Sequence, residues 1–227
     1  MLNPMATFSD PDTVARYAEA TVRLVPGFHD LQRMTAVLLA ERLQSTAQVL
    51  VLGAGGGLEL KVFAELQPGW HFIGVDPSAE MLRLAERTIG ALSDRIVLHE
   101  GYIDSAPEGP FDGATCLLTL RFVQHEHRIA TLTALRKRLK PGAPLIVAHH
   151  SFPQSDDQKS LWLGRYAAFA TMSGVSPEKM QTAARTIARD LPTLSPDQEE
   201  ANLRLAGFTD VSLFYAAFSF RGWVAYA

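Results

Sequence analysis

Residues 48–57 read QVLVLGAGGG, and this stretch decides the fold class. A short apolar run of strand character enters a glycine-rich loop, and the helical pattern LELKVFAEL follows at once. Glycines between a strand and a helix let a ligand approach the strand end and the first N–H groups of the helix. Leu58 stands where a dinucleotide-binding G-x-G-x-x-G/A fingerprint needs a small residue, so an NAD-dependent oxidoreductase is the weakest alternative.

After this loop the chain alternates strand and helix patterns. Buried parallel strands are typically continuous apolar runs, which fits the segments HFIGVD (71–76), RIVLHEG (95–101), DGATCLLTL (112–120) and LIVAHH (145–150). Two closing runs, DVSLFYAAF and FRGWVAYA, are close enough to pair antiparallel, with a bulge or kink predicted at Gly222. We predict a Rossmann-like α/β fold with a doubly wound, mostly parallel seven-stranded sheet whose last strand is antiparallel.

Helical patterns lie outside this alternation. Residues 10–24 and 29–44 have the three- and four-residue apolar spacing of amphipathic helices, and residues 151–209 are mainly helical as well. With 227 residues, 47% of them hydrophobic and 20% charged, the composition is that of an ordinary globular protein. We predict a single domain over 1–227, with an N-terminal helical lid at 1–45 and a helical insertion at 151–209.

Several classes of function are disfavoured by composition. The net charge of −3 argues against a broad basic face, so no direct nucleic-acid binding is expected. Cys116 is the single cysteine, and His125 and His127 are too closely spaced to be two ligands on one helix face, so we expect no metal. Neither a signal peptide nor a long apolar run is found, so we predict a cytoplasmic protein without membrane contact.

Asp76 ends the second predicted strand, 19 residues beyond Gly57. An acidic side chain at this place can accept both hydrogen bonds of a ribose diol. The alternative interpretation is a tight glycine turn with Asp76 capping the next helix beside Ser78. The segments VLVLGAGGG, GVDPSAEML, FDGATCLLTL and RLKPGAPLIVAH together resemble the motifs of class I S-adenosylmethionine (SAM) dependent methyltransferases.

This resemblance implies SAM as the cofactor and assigns roles to its neighbours. The glycine loop would pass under the methionine part, Asp76 would hold the ribose, and the other residues would flank adenine or close over the ligand. The implied cofactor-binding residues are Gly53, Ala54, Gly55, Gly57, Asp76, Pro77, Met81, Tyr102, Ile103, Thr119 and Tyr17. One departure from the family pattern is Val51, which stands where these enzymes usually carry an acid.

Segments outside the shared core resemble one family, the carboxy-SAM synthases of tRNA wobble uridine modification. They are ARYAEATVRLVPGF (15–28), LTLRFV (118–123), HHSF (149–152) and ANLRLAGF (201–208). Those synthases use SAM and prephenate, and they hold the new carboxylate with an arginine where this chain has Asn202; an asparagine of the family is Leu117 here. The amide of Asn202 cannot replace the bidentate contact of a guanidinium with a carboxylate. Arg204, two residues further on, would lie on a different helix face from Asn202, so the carboxylate-binding feature of the synthases is not expected here.

We therefore interpret the chain as a SAM-dependent methyltransferase of a small-molecule acceptor. The alternative within the fold is a carboxy-SAM synthase, and the alternative of another class is a non-catalytic SAM-binding protein. The resemblance also implies a homodimer.

Candidate catalytic residues follow the fourth and fifth strands, where ligands of such sheets bind. His149 and His150 could each take a proton, or could be held by local hydrogen bonds. Arg121 could bind an anionic acceptor or the SAM carboxylate, or could form a surface ion pair. Tyr166 shares helical spacing with Trp162, Phe169 and Met172, a pattern more typical of core or dimer contacts.

Overall fold

The computed structural model describes Val14 and residues 16–227, and its strands form one seven-stranded sheet. The strands are β1 (Gln48–Leu52), β2 (His71–Asp76), β3 (Ile96–Glu100), β4 (Gly113–Leu117), β5 (Pro144–His150), β6 (Thr209–Ala217) and β7 (Phe220–Tyr226). Their order is β3-β2-β1-β4-β5-β7-β6, with β1 to β5 parallel and β7 antiparallel to both of its neighbours. The predicted Rossmann-like fold is confirmed.

Helices cover both faces of the sheet. Those in the described part are α1 (Tyr17–Leu24), α2 (Phe28–Ala40), α3 (Leu58–Leu66), α4 (Ala79–Ile89), α5 (His125–Lys137), α6 (Asp156–Met172), α7 (Pro177–Asp190) and α8 (Pro196–Leu205). Val49 and Val51 of β1 pack into one apolar cluster with α1 to α4, α6 and α7, whereas Leu50 and Leu52 pack into another with α5 and α8. Side chains that alternate along a buried strand thus supply both layers of the core.

The helices outside the alternating pattern differ in detail from their predicted bounds. Of the segment 10–24 the described helix is α1, and residues 10–13 and 15 lie outside the described residues. Helix α2 ends at Ala40, short of the predicted residue 44. The segment 151–209 contains α6, α7 and α8, as its pattern indicates. A bulge or kink was predicted at Gly222 of β7. The register shift is in the neighbouring strand β6, between Leu213 and Tyr215, and Tyr215 pairs with Gly222.

Candidate functional site

A cavity of about 450 Å³ lies at the carboxyl ends of the central strands. Leu52, Asp76 and Leu117, which end β1, β2 and β4, all line it. We call one part of this cavity the Asp76 end, which is lined by Asp76, Pro77, Met81, Tyr102 and Ile103. The other part, the Arg121 end, is lined by Tyr17, Thr21, Leu24, Arg121, Tyr166 and Phe220. The crevice lies where open α/β sheets bind their ligands.

The glycine loop and the end of β2 are joined through the Asp76 carboxylate. Oδ2 accepts a hydrogen bond from the Gly55 N–H at 2.9 Å, and Oδ1 accepts one from the Ser78 N–H at 2.9 Å. Ser78 in turn caps α4, since its hydroxyl accepts from the Met81 N–H at 3.2 Å. Burial raises the pKa of Asp76, and the two backbone donors oppose that shift. Both carboxylate oxygens are fixed at the cavity wall and keep lone pairs for a further donor.

Most of the predicted cofactor-binding residues lie together. The ones that line the cavity are Tyr17, Gly53, Gly55, Asp76, Pro77, Met81, Tyr102, Ile103 and Thr119. Met81 and Ile103 are buried, whereas Tyr102 is 65% exposed at the rim. Ala54 and Gly57 are not part of the lining: Ala54 packs in the core, and Gly57 precedes the first residue of α3 against Ala85 of α4.

Gly53 cannot carry a side chain without disturbing this loop. Its φ is +82°, and a Cβ atom built there would lie 1.9 Å from Oγ1 of Thr119. Gly142 is a matched control, because its φ is +75° but nothing lies within 4 Å of the Cβ position. We expect Gly53→Ala to lower the free energy of unfolding by about 2 kcal/mol more than Gly142→Ala, measured by urea denaturation. Equal losses would mean that the loop tolerates the displacement of Thr119.

The Arg121 end joins residues from distant parts of the chain. Tyr17 of α1 faces the glycine loop, since a Cβ built on Gly55 would lie 3.3 Å from its hydroxyl oxygen. Burial raises the pKa of Tyr17 to about 12, so its hydroxyl stays protonated at neutral pH. Arg121 follows β4 with its guanidinium carbon 4.8 Å from the centre of the Phe122 ring. Tyr166 of α6 packs in the apolar core, one of the two contacts that its spacing favoured, and it also completes this wall.

The structure does not bring His149 to the cavity. Its Nε2 lies 2.9 Å from Oε1 of Glu199, its side chain is 1% exposed, and its ring packs against Trp223. Glu199 also forms a buried ion pair with Arg128 of α5. His149 therefore belongs to a buried cluster between β5, α5 and α8, which gives no support to its predicted catalytic role.

His150 lies one layer behind the cavity wall. Its Nδ1 is 3.0 Å from Oγ of Ser219, and its ring stacks on Phe220 with the centroids 4.0 Å apart. Tyr166 meets the same ring edge-on. Burial, followed by the nearby Arg121 charge, lowers the pKa of His150 well below its usual 6.5, so the ring is neutral at physiological pH. Because two lining aromatics stand in front of His150, the structure does not support a direct catalytic role for it.

Glu59 is a buried acid that the sequence analysis missed. It lies in the first turn of α3, and its Oε1 accepts a hydrogen bond from the Thr115 hydroxyl at 3.1 Å. Burial raises its pKa from 4.5 to about 8, and the Asp76 charge adds to the shift. A usable signal was its spacing of four residues from Phe63, which places both residues on the buried face of α3.

This carboxyl group predicts a pH dependence of stability. Its folded-state pKa of about 8 exceeds the ordinary value of 4.5, so stability falls as the pH rises toward 8. His150 stays neutral above pH 6.5 and does not oppose this trend. We expect the free energy of unfolding to fall by about 2 kcal/mol from pH 6.5 to 8, and Glu59→Gln to flatten that slope in urea titrations. An unchanged slope in the variant would contradict this account of Glu59.

The structure of Val14 and residues 16–227 bears on three other features: a metal site, a membrane-spanning helix and a reactive cysteine. No group of three or more histidine, cysteine or acidic residues is placed there to hold a metal ion. Over the same residues, no helix is both long and apolar enough to cross a membrane. Cys116 is buried, and desolvation raises the pKa of its thiol, which disfavours the reactive thiolate.

Comparisons with known proteins find similarity to a methyltransferase domain and to carboxy-SAM synthases. Residues 50–145, which include the glycine loop, Asp76 and Arg121, match a family described as a methyltransferase domain. The carboxy-S-adenosyl-L-methionine synthase of Chromohalobacter salexigens is 29% identical over 231 residues, covering 99% of this chain and 85% of the relative.

Solved structures share the fold. Magnesium protoporphyrin IX methyltransferase (ChlM) from Synechocystis PCC 6803, solved with bound S-adenosylhomocysteine (SAH), superposes with a TM-score of 0.70 at 14% identity, over 97% of this chain and 96% of that one. The SAM-dependent methyltransferase SibL in its apo form gives a TM-score of 0.60 at 18% identity, over 88% of this chain and 56% of the longer one.

Proposed function

We propose that this chain, a SAM-dependent methyltransferase by its methyltransferase domain and its fold, transfers the methyl group of SAM to a small-molecule acceptor. The observation that carries the proposal is the Asp76 carboxylate, which is fixed at the cavity wall by two backbone N–H groups. An acid held in this way beside a glycine loop suits a ribose diol.

The residues at the Asp76 end fit SAM in shape and chemistry. A volume of about 450 Å³ falls in the range of small-molecule sites. Met81 and Ile103 offer buried apolar surface for the adenine ring, and Asp76 offers acceptors for the ribose. The backbone at Gly53 and Gly55, which also lines the cavity, leaves room for the methionine part.

When bound, SAM supplies a methyl group on a sulfonium, which leaves by in-line displacement. The chain's task is then to position the acceptor and to exclude water. His127 and Asp104 also line the cavity, but the side chains that define the Arg121 end include neither a carboxylate nor a histidine. Tyr17 and Tyr166 have raised pKa values, so neither hydroxyl is a ready base. This end of the cavity would hold an acceptor whose reacting atom attacks without giving a proton to these side chains.

The test is turnover with SAM. The protein is incubated with SAM and a protein-free extract of small metabolites, and SAH and methylated products are followed by mass spectrometry. We expect SAH to accumulate together with a product heavier by one methylene unit, and Asp76→Ala to abolish both signals. Tight SAM binding without turnover over a broad acceptor panel would instead favour the non-catalytic SAM-binding protein.

A second candidate, a carboxy-SAM synthase, is favoured by the relatives that match nearly the whole chain. The residues disfavour it. Asn202 is half-buried on α8 and is not part of the described lining, and Arg204 forms an exposed ion pair with Glu200 at 2.9 Å. Incubation with SAM and prephenate discriminates, because a carboxylated SAM product would put the synthase first.

A further inference from the structure

Arg121 is a half-buried cation at the end of the cavity where an acceptor would enter. It lies in the short turn Leu120–Phe122 after β4, and its Nε atom is buried. Tyr17 of α1 and Tyr166 of α6 interact with its charge from two other elements. The guanidinium is therefore enclosed by parts of the chain that meet only in the folded cavity.

Arg121 has no anionic partner among the described residues. It forms none of their ion pairs or side-chain hydrogen bonds, and its Nε lacks an acceptor. The nearby Tyr17, Tyr166 and His150 do not supply a negative charge, because their pKa values keep the hydroxyls protonated and the imidazole neutral. Asp76 is committed to the loop and to the opposite end of the cavity.

Arg128, seven residues further on, is a buried arginine with a structural role, and its partners can be compared with those of Arg121. Its Nε also lacks an acceptor, but its other nitrogens pair with Glu199 and donate to the carbonyls of Leu120 and Pro192, both at 2.8 Å. A guanidinium that is partly withdrawn from water without such partners is costly, since its lost hydration is not replaced. The contrast indicates that Arg121 obtains its counter-charge from a ligand.

We infer that Arg121 is a carboxylate-binding residue, which holds a carboxylate next to the group that is transferred. The inference rests on the proposed function. A single cation in an aromatic wall matches a monoanion better than a phosphate dianion, and a guanidinium matches the planar carboxylate in a bidentate way. Phe220, Phe122 and Tyr166 surround it with apolar area, so the carboxylate should be attached to an apolar or aromatic body.

Two sources of this carboxylate share the same chemistry. It can belong to the acceptor, or to the transferred group of a carboxylated donor such as carboxy-SAM. Acetate, benzoate and phenylacetate, each beside its amide, are titrated into SAH-loaded protein, and carboxy-SAM is compared with SAM on ligand-free protein. We expect at least one carboxylate, or carboxy-SAM, to bind at least tenfold more tightly than its uncharged counterpart. The acids report the first source and carboxy-SAM the second.

Variants assign the preference to Arg121. Arg121→Gln should remove it while weakening SAH binding far less than carboxylate binding, and Arg121→Lys should keep part of it, since the charge remains without the planar fork. Arg23→Gln, an exposed arginine of α1 paired with Glu19, should change nothing. A preference that survives in Arg121→Gln overturns the inference, and so does the absence of any preference in the wild type.

A third result also overturns it. If Arg121→Gln weakens SAH binding as strongly as carboxylate binding, Arg121 holds the methionine carboxylate of the donor instead. Failure of the wild type to bind SAH at all would be a failure of the proposed function, and the SAH titration detects it before any carboxylate is added.

Discussion

Replacing Asp76 with alanine should weaken SAH binding by at least about 100-fold, because two charge-assisted hydrogen bonds to the ribose are lost together. The change also leaves the N–H groups of Gly55 and Ser78 without their acceptor, so the loop over the cavity loses its anchor. Calorimetric titration of the wild type and the variant with SAH measures the effect.

Asp112 provides the matched control for this substitution. Its carboxylate also accepts a backbone hydrogen bond, from the Gln48 N–H at 2.8 Å, but it lies at the amino ends of β1 and β4, away from the cavity. Asp112→Ala should bind SAH within about threefold of the wild type, since the ion pair with Lys140 and the Gln48 hydrogen bond that it removes both lie outside the cavity. Comparable losses in the two variants would contradict a specific role of Asp76 in ligand binding.

Replacing Arg128 with methionine should lower the free energy of unfolding by about 3–5 kcal/mol, the cost of breaking a buried ion pair. Arg128 is fully buried and pairs with Glu199 of α8. It also donates to the carbonyls of Leu120, Val123 and Pro192, so it holds the turn that carries Arg121 against the helical insertion. Urea denaturation at pH 7 measures the loss.

Two further variants test the cause of that loss. Lys137→Ala, at the exposed end of the same helix, should stay within about 0.5 kcal/mol of the wild type. Combining Arg128→Met with Glu199→Gln should recover part of the stability, because the buried carboxylate, which then has only His149 beside it, is removed. If the double variant is less stable than Arg128→Met alone, the ion pair is not the main contribution of Arg128.

The fold could be predicted because its signals are local and repeated. Each parallel strand is a short apolar run, and the glycine loop after β1 marks the junction of strand and helix without any knowledge of the tertiary structure. The antiparallel ending could be predicted for the same reason. Only Ser219 separates the two closing apolar runs, which end at Phe218 and begin at Phe220, so a tight turn must join them. The helix ends were less certain, as α2 shows by ending at Ala40.

The Asp76 end could also be predicted, because its residues come from short motifs that follow consecutive strands. The Arg121 end could not be assembled in this way. Tyr17, Tyr166 and Phe220 come from α1, the helical insertion and the last strand, and only the closed fold brings them beside Arg121. Tyr166 therefore looked like one member of an apolar stripe.

The buried charges could not be placed from the sequence. Arg128 shares a helix face with Leu132 and Leu135, and Glu199 shares one with Leu203, so both occupy apolar positions of their helices. Charged residues at such positions are a detectable signal of a buried pair, but their partner cannot be named from spacing. His149 was predicted to be a catalytic candidate because it ends β5, and this position in the sequence gave no sign that Glu199 lies beside it.

Binding of SAH is the most direct test of the central claim, that the cavity between Asp76 and Arg121 is a SAM site. Calorimetric titration of the wild-type protein should give one SAH per chain, with NAD binding far more weakly or not at all. The absence of a binding signal for SAH, or tighter binding of NAD, would contradict the account.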